Sequence, residues 1–251
     1  MADTPSIEPW HDFIEGVVYP NDEVPWRDDS AYAVILEHPG LRDSIGGHVA
    51  PALQQAIGLV QALAQVDLLA VIRKAQARDT TEAGNCHSES ERIEGEESSV
   101  QGLCLGFGTN TQEPYDLLKT FELNRVHAYE WIGEHVMEAA KAFDTLRTSE
   151  PQLATQVRLH HGTVRDLSTL GDDSMHVIYT ANMFTREIPM TEQTFEQSMQ
   201  EMLRVLAPSG FVISRGSAGI LEQYLAQHIK VLLQNPLVSV VQKETSEAIS
   251  L

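Results

Sequence analysis

A chain of 251 residues with 42% hydrophobic side chains has the apolar content for a real core, in one domain with a sizeable extension or in two small ones. Its net charge of −19 repels polyphosphate backbones, and no local basic stripe offsets it, which excludes a direct nucleic-acid substrate. No run reaches the roughly 18 uncharged apolar residues of a membrane helix, the first ten residues are acidic and proline-bearing instead of basic and apolar, and two cysteines, Cys86 and Cys104, make no disulfide framework. The expected location is the cytoplasm, with no membrane partner.

Charge and pattern divide the chain. Residues 1–99 hold 6 basic and 18 acidic side chains, the remainder 11 and 18. The first 45 residues mix aromatics (Trp10, Phe13, Tyr19, Trp26) with turn formers and predict a short helix and loops. From Pro51 to about Arg73, apolar residues recur at Leu53, Ile57, Val60, Ala64, Leu68, Val71 and Ile72, the period of one helix opened by a proline. Residues 75–99 are rich in Glu and Ser and nearly devoid of apolar side chains, as in a linker or exposed insertion. Cys86-His87 within it has no partner at metal-ligand spacing, so no metal site is expected. The predicted layout is a helical, aromatic extension over 1–78, a candidate lid; an acidic linker over 79–99; and an α/β domain over 100–251.

After Val100, short apolar runs alternate with helical periods, the mark of β-α-β units and a parallel sheet. Strands are predicted at Val100–Leu105, Val126–Tyr129, Val157–His160, Met175–Thr180 and Gly210–Ser214, with a sixth at Leu237–Gln242 and a short seventh at Ala248–Leu251. Helices are predicted near Glu113–Phe121, Gly133–Arg147, Thr191–Leu206 and Gly219–Leu233. The fold class is α/β, a doubly wound, mainly parallel sheet of six to seven strands with helices on both faces.

In such a sheet a ligand sits outside the carboxyl ends of the strands. The first strand ends in Gly106-Phe107-Gly108, where glycines permit a sharp turn and the next helix offers free N–H groups. About twenty residues on, Glu130 ends the second strand, where a carboxylate can accept the hydroxyl hydrogens of a ribose. Trp131 beside it could cover the face of a base, or be an ordinary surface aromatic.

The run Leu103-Cys104-Leu105-Gly106-Phe107-Gly108-Thr109-Asn110 resembles the first signature of class I S-adenosylmethionine-dependent methyltransferases. Four further segments follow in the family's order: Val126 to Glu130 with Gly133 to Val136, His161 to Leu167, Asp172 to Asn182, and Met202 to Ile213. The resemblance covers about residues 100–216. It implies S-adenosylmethionine as cofactor and S-adenosylhomocysteine as product. It also implies that Gly106, Phe107, Gly108 and Thr109 hold the amino-acid end, Glu130 the ribose, Trp131 the ring face, Thr163 and Val164 the adenine edge, and Asn182 and Met183 the sulfonium side. The chain departs from the family at three places. Cys104 stands where members commonly carry an acid near the cofactor's ammonium, Asn110 replaces the third glycine, and Thr163 replaces an acid. The 35 or so residues after the fifth strand are also short for the family's last helix and antiparallel strand pair.

The reading that follows is a methyltransferase acting on a small-molecule acceptor by in-line transfer. A non-catalytic relative serving as a binding or scaffold protein is the alternative that Cys104, Asn110 and Thr163 motivate. A nicotinamide-dependent oxidoreductase is the third, although Thr111 stands where its spaced glycine belongs. No side chain stands out as a catalytic base; candidates beside the fourth strand or in the lid are Arg186, Glu187, His161 and the N-terminal His11 and Tyr19. A homo-oligomer stays open.

Overall fold

The computed structural model describes residues 49–83, 100–108, 110–181, 183–184, 192–215, 221, 225, 227–234 and 238–244. The expectations placed on Trp10, His11, Phe13, Tyr19 and Trp26, on Cys86 and His87, and on a strand at Ala248–Leu251 fall outside these residues.

The helix predicted from Pro51 to Arg73 is two helices, α1 (Ala50–Ala64) and α2 (Leu68–Ala83), bent by 97°. Gln65 stops α1 in the left-handed conformation, at φ 57°. Asp67 then opens α2, its carboxylate accepting the N–H of Ala70 at 2.9 Å, as an N-cap side chain does. The apolar period runs through the break because Leu53, Val60, Leu68 and Ile72 all enter one core. That core is the sheet's own, since it also takes Phe211, Ile213 and Val240. Among the described residues no single helix is long and apolar enough to cross a membrane; the bent pair passes that test only when both helices are counted together.

Seven strands form one sheet: β1 (Gln101–Leu105), β2 (Arg125–Glu130), β3 (Val157–His161), β4 (Met175–Ala181), β5 (Leu206–Arg215), β6 (Ile229–Gln234) and β7 (Val238–Lys243). Their order is β3-β2-β1-β4-β5-β7-β6. The first five are parallel, and β7 is antiparallel to both β5 and β6. The reversal of direction between β1→β3 and β4→β5 puts the switch point at the carboxyl ends of β1 and β4, the place where such sheets bind ligands. Among the described residues four more helices are α3 (Glu113–Thr120), α4 (Gly133–Ser149), α5 (Pro151–Gln156) and α6 (Glu192–Val205). Separate cores lie on the two faces of the sheet, one with Cys104, Tyr115, Phe121, Tyr179 and α1, the other with Leu103, Leu105, Phe195, Met199 and Met202.

Two expectations at the C-terminal end are corrected. The predicted helix at Gly219–Leu233 gives way to strand from Ile229 onward, and the antiparallel pair is complete instead of trimmed. The helical spacing of Leu221, Leu225 and Ile229 misleads because all three bury in the same core across the change from helix to strand. Helix α5 was not anticipated; Pro151 at its first turn is the signal that could have found it.

Candidate functional site

The glycine turn leaves β1 at the switch point. Gly106 and Gly108 have φ of 65° and 55°, left-handed values that cost other residues strain. The Gly106 N–H donates to the carbonyl of Tyr129 at 2.9 Å, tying the turn to β2. A Cβ on Gly106 would stand 3.3 Å from the Met183 sulfur, so the exits of β1 and β4 meet there.

Glu130, the last residue of β2, is 4% exposed. One carboxylate oxygen accepts the Gly108 N–H at 2.8 Å and the other the Ile132 N–H at 2.9 Å. Each oxygen keeps a second lone-pair position. His135 Nδ1 lies 3.9 Å away, buried and without a hydrogen bond. The carboxylate is therefore part of the turn's architecture and still has acceptor capacity toward a diol.

Of the other predicted contacts, Phe107 turns its ring into the core at 3% exposure, leaving its backbone to any ligand. Trp131 is 48% exposed. Beside it lies an open groove lined by Ile132, Gly133, Glu134, Val136, Met137 and His161, and His161 Nε2–H donates to the Trp131 carbonyl at 2.9 Å. Val164 buries its side chain in the second core, and the Thr163 hydroxyl accepts the Arg165 N–H at 3.3 Å, which gives both a packing and turn-forming task. Met183 lies against Gly106. Thr109, Asn182, Arg186 and Glu187 fall outside the described residues.

Beneath the turn the structure gathers polar groups that sequence reasoning did not single out. Glu113, first residue of α3, is 4% exposed; Asn110 Nδ2 donates to one of its oxygens at 3.2 Å, and the other oxygen has no hydrogen bond among the described residues. Burial pushes its pKa up to about 8, against the opposing pull of Arg215. Arg215, at the end of β5 and itself 5% exposed, donates to the Tyr179 hydroxyl at 3.3 Å. Burial, and the carboxylates of Glu113 and Glu130, raise the Cys104 thiol, so Cys104 is a neutral, inert filler of the strand. An acid at a helix start reads from sequence as a partner of the helix dipole, which hid Glu113.

The acidic turn before β4 is a structural clamp. Arg204 forks both Glu201 oxygens at 2.7 and 2.8 Å and reaches Asp172 at 2.6 Å and the carbonyls of Leu167 and Leu170. Lys243 bonds Asp173 and the carbonyls of Leu203 and Leu206. At the β2–β3 pair, His127 bridges His160 at 2.9 Å and Gln101 at 3.0 Å. Burial, with Arg125, Arg158 and His160 nearby, holds its pKa down at about 4.

No protein-family model matches the sequence, and no curated protein matches it. Among solved structures, a SAM-dependent methyltransferase from Aquifex aeolicus aligns at 16% identity over 57% of this chain and 81% of its own, with a TM-score of 0.43. The N-methyltransferase NodS from Bradyrhizobium japonicum, in complex with S-adenosyl-L-homocysteine, aligns at 12% identity over 68% and 87%, TM-score 0.43. A protein of Galdieria sulphuraria described as a sarcosine dimethylglycine methyltransferase aligns at 18% identity over 46% of this chain, TM-score 0.38, and the chain spans only 38% of its length. The fold of this chain is a doubly wound α/β sheet in which five parallel strands are closed by an antiparallel pair, with a glycine turn at the carboxyl end of β1.

Proposed function

We propose that the chain is an S-adenosylmethionine-dependent methyltransferase that acts on a small-molecule acceptor. The observation that carries this reading is the Glu130 carboxylate, buried at the end of β2 and bonded to the N–H of Gly108. The arrangement fits the cofactor: a glycine turn with open space beside Gly108, a carboxylate with lone pairs for a ribose diol, and an exposed indole at Trp131 for a ring face. Glu130 would hold the ribose, the backbone of Gly106 to Gly108 the amino-acid portion, and Met183 the apolar surround of the reacting sulfur.

S-adenosylmethionine, when bound, supplies a methyl group already activated by sulfonium charge. What remains for the protein is alignment and exclusion of water. The net charge of −19 favours an acceptor that is not a polyanion.

The test is calorimetric titration with S-adenosylhomocysteine and, separately, with a nicotinamide dinucleotide, together with mass spectrometry of any nucleotide that co-purifies. Saturable binding of the first ligand alone supports the proposal. Binding of the dinucleotide alone, or of neither, refutes it.

A further inference from the structure

Glu113 stands out as a buried acid without a full set of partners. Its first oxygen is held by Asn110, a residue of the turn itself, at 3.2 Å. Its second is buried and, among the described residues, accepts no hydrogen bond. Orphaned carboxylate oxygens are uncommon in interiors, and each asks for an explanation in strain, function or a missing partner. The surroundings point to a missing cation. Glu113 begins the helix that follows the glycine turn, within charge range of Glu130 and Asp116, and among the described residues Arg215 is the opposing charge acting on it. Arg215 is drawn toward the Tyr179 hydroxyl. Among the described residues, the floor under the turn is thus desolvated and carries excess acid, and one Glu113 oxygen has no donor.

We infer that Glu113 receives the α-ammonium of the cofactor's amino-acid end, supplying from the start of α3 the carboxylate that the end of β1, with Cys104, does not carry. The inference rests on the methyltransferase reading and deepens it. An ammonium offers three N–H donors and a full charge, and a charge-assisted bond to a desolvated carboxylate is about twice as strong as a neutral one. In the ligand-free chain the burial of Glu113 favours its protonated form, so the arriving ammonium drives that proton off. Binding then releases a proton that a ligand lacking the amino acid does not release.

Two ligands separate the possibilities. S-adenosylhomocysteine carries the ammonium; 5′-methylthioadenosine has the same nucleoside and thioether without it. Glu113→Gln, an isosteric stand-in for the protonated acid, is expected to weaken S-adenosylhomocysteine by roughly tenfold or more, the scale of one charged hydrogen bond, and to leave 5′-methylthioadenosine unchanged. Retained binding of the latter also reports that the variant is folded. Calorimetry of the unaltered chain at pH 7 in buffers of different ionisation enthalpy should show close to one proton released per S-adenosylhomocysteine and none per 5′-methylthioadenosine. Equal weakening of both ligands, no weakening of either, or identical proton release for the two overturns the assignment of Glu113. Failure of the unaltered chain to bind either ligand overturns the cofactor reading itself, and this inference with it.

Discussion

The backbone N–H of Val49 donates to the Asp116 carboxylate at 2.5 Å, so the start of α1 is capped by a side chain 67 positions further along the chain. The Ala50 N–H shares the same oxygen at 3.2 Å. Both partners are buried, and the helix start depends on a residue of α3. Asp116→Ala leaves these N–H groups without an acceptor and should cost about 1–3 kcal/mol, the sum expected for a lost cap and buried donors. Urea unfolding checks the value, and amide exchange should show α1 opening first. A loss under about 0.5 kcal/mol, within the range of an ordinary surface change, argues against the cap.

Gly106→Ala meets two penalties. The φ of 65° is one, on the order of 1–2 kcal/mol for a side-chain-bearing residue, and the Met183 sulfur at 3.3 Å is the other. Shortening the neighbour by Met183→Ala relieves only the second. A double-mutant cycle on unfolding free energies should therefore give a favourable coupling of about 0.5 kcal/mol or more for this contacting pair, while the strain from φ persists. Strict additivity would mean the two exits do not press on one another.

Glu130→Gln keeps the shape of the side chain and places an amide nitrogen against one of two backbone donors, Gly108 or Ile132. The mismatch should destabilise the chain by about 1–3 kcal/mol and weaken S-adenosylhomocysteine by at least about tenfold, the equivalent of one hydrogen bond to a charged acceptor. Melting temperature and calorimetric affinity should fall together, since one carboxylate serves both tasks. An affinity loss with unchanged stability would show that the turn does not depend on Glu130.

The acid side of the stability curve should carry a signature of His127. Its folded pKa of about 4 lies below the roughly 6.5 of an unfolded histidine, so between these values the unfolded chain binds the extra proton. Stability from this group is fully present above about pH 6.5 and is lost as pH falls toward 4. His127→Gln should flatten that segment of a plot of unfolding free energy against pH and leave the segment above pH 7 parallel to that of the unaltered chain. Parallel curves throughout would show that His127 is as easily protonated folded as unfolded.

The parallel half of the sheet was legible because its strands are nearly continuous apolar runs closed by polar or glycine residues. β1 and β4 were placed within a residue or so of their observed ends. Glycine spacing and a carboxylate twenty residues on found the turn and Glu130, since both features are local in sequence. What escaped reading depends on contacts between distant residues. The break at Gln65 hides inside an unbroken apolar period, and the Ile229–Gln234 strand hides behind leucines at helical spacing. Glu113 and Arg215 are about a hundred positions apart, and no pattern along the chain tells that they share a desolvated floor. The Asp172-Asp173 turn was noticed for its place in a family signature, yet its side chains grip Arg204 and Lys243.

The placement of β7 between β5 and β6 governs how the molecule can be made. Among the described residues β6 pairs only with β7, so it has no seat in the sheet until β7 is in place. The flank of β5 stays open until Val238–Lys243 has been synthesised and has doubled back. During that interval the nascent chain presents an unpaired apolar strand, Phe211 to Ile213, of the kind that invites pairing with a neighbouring chain. The reversal from β6 into β7 is the step that covers that flank.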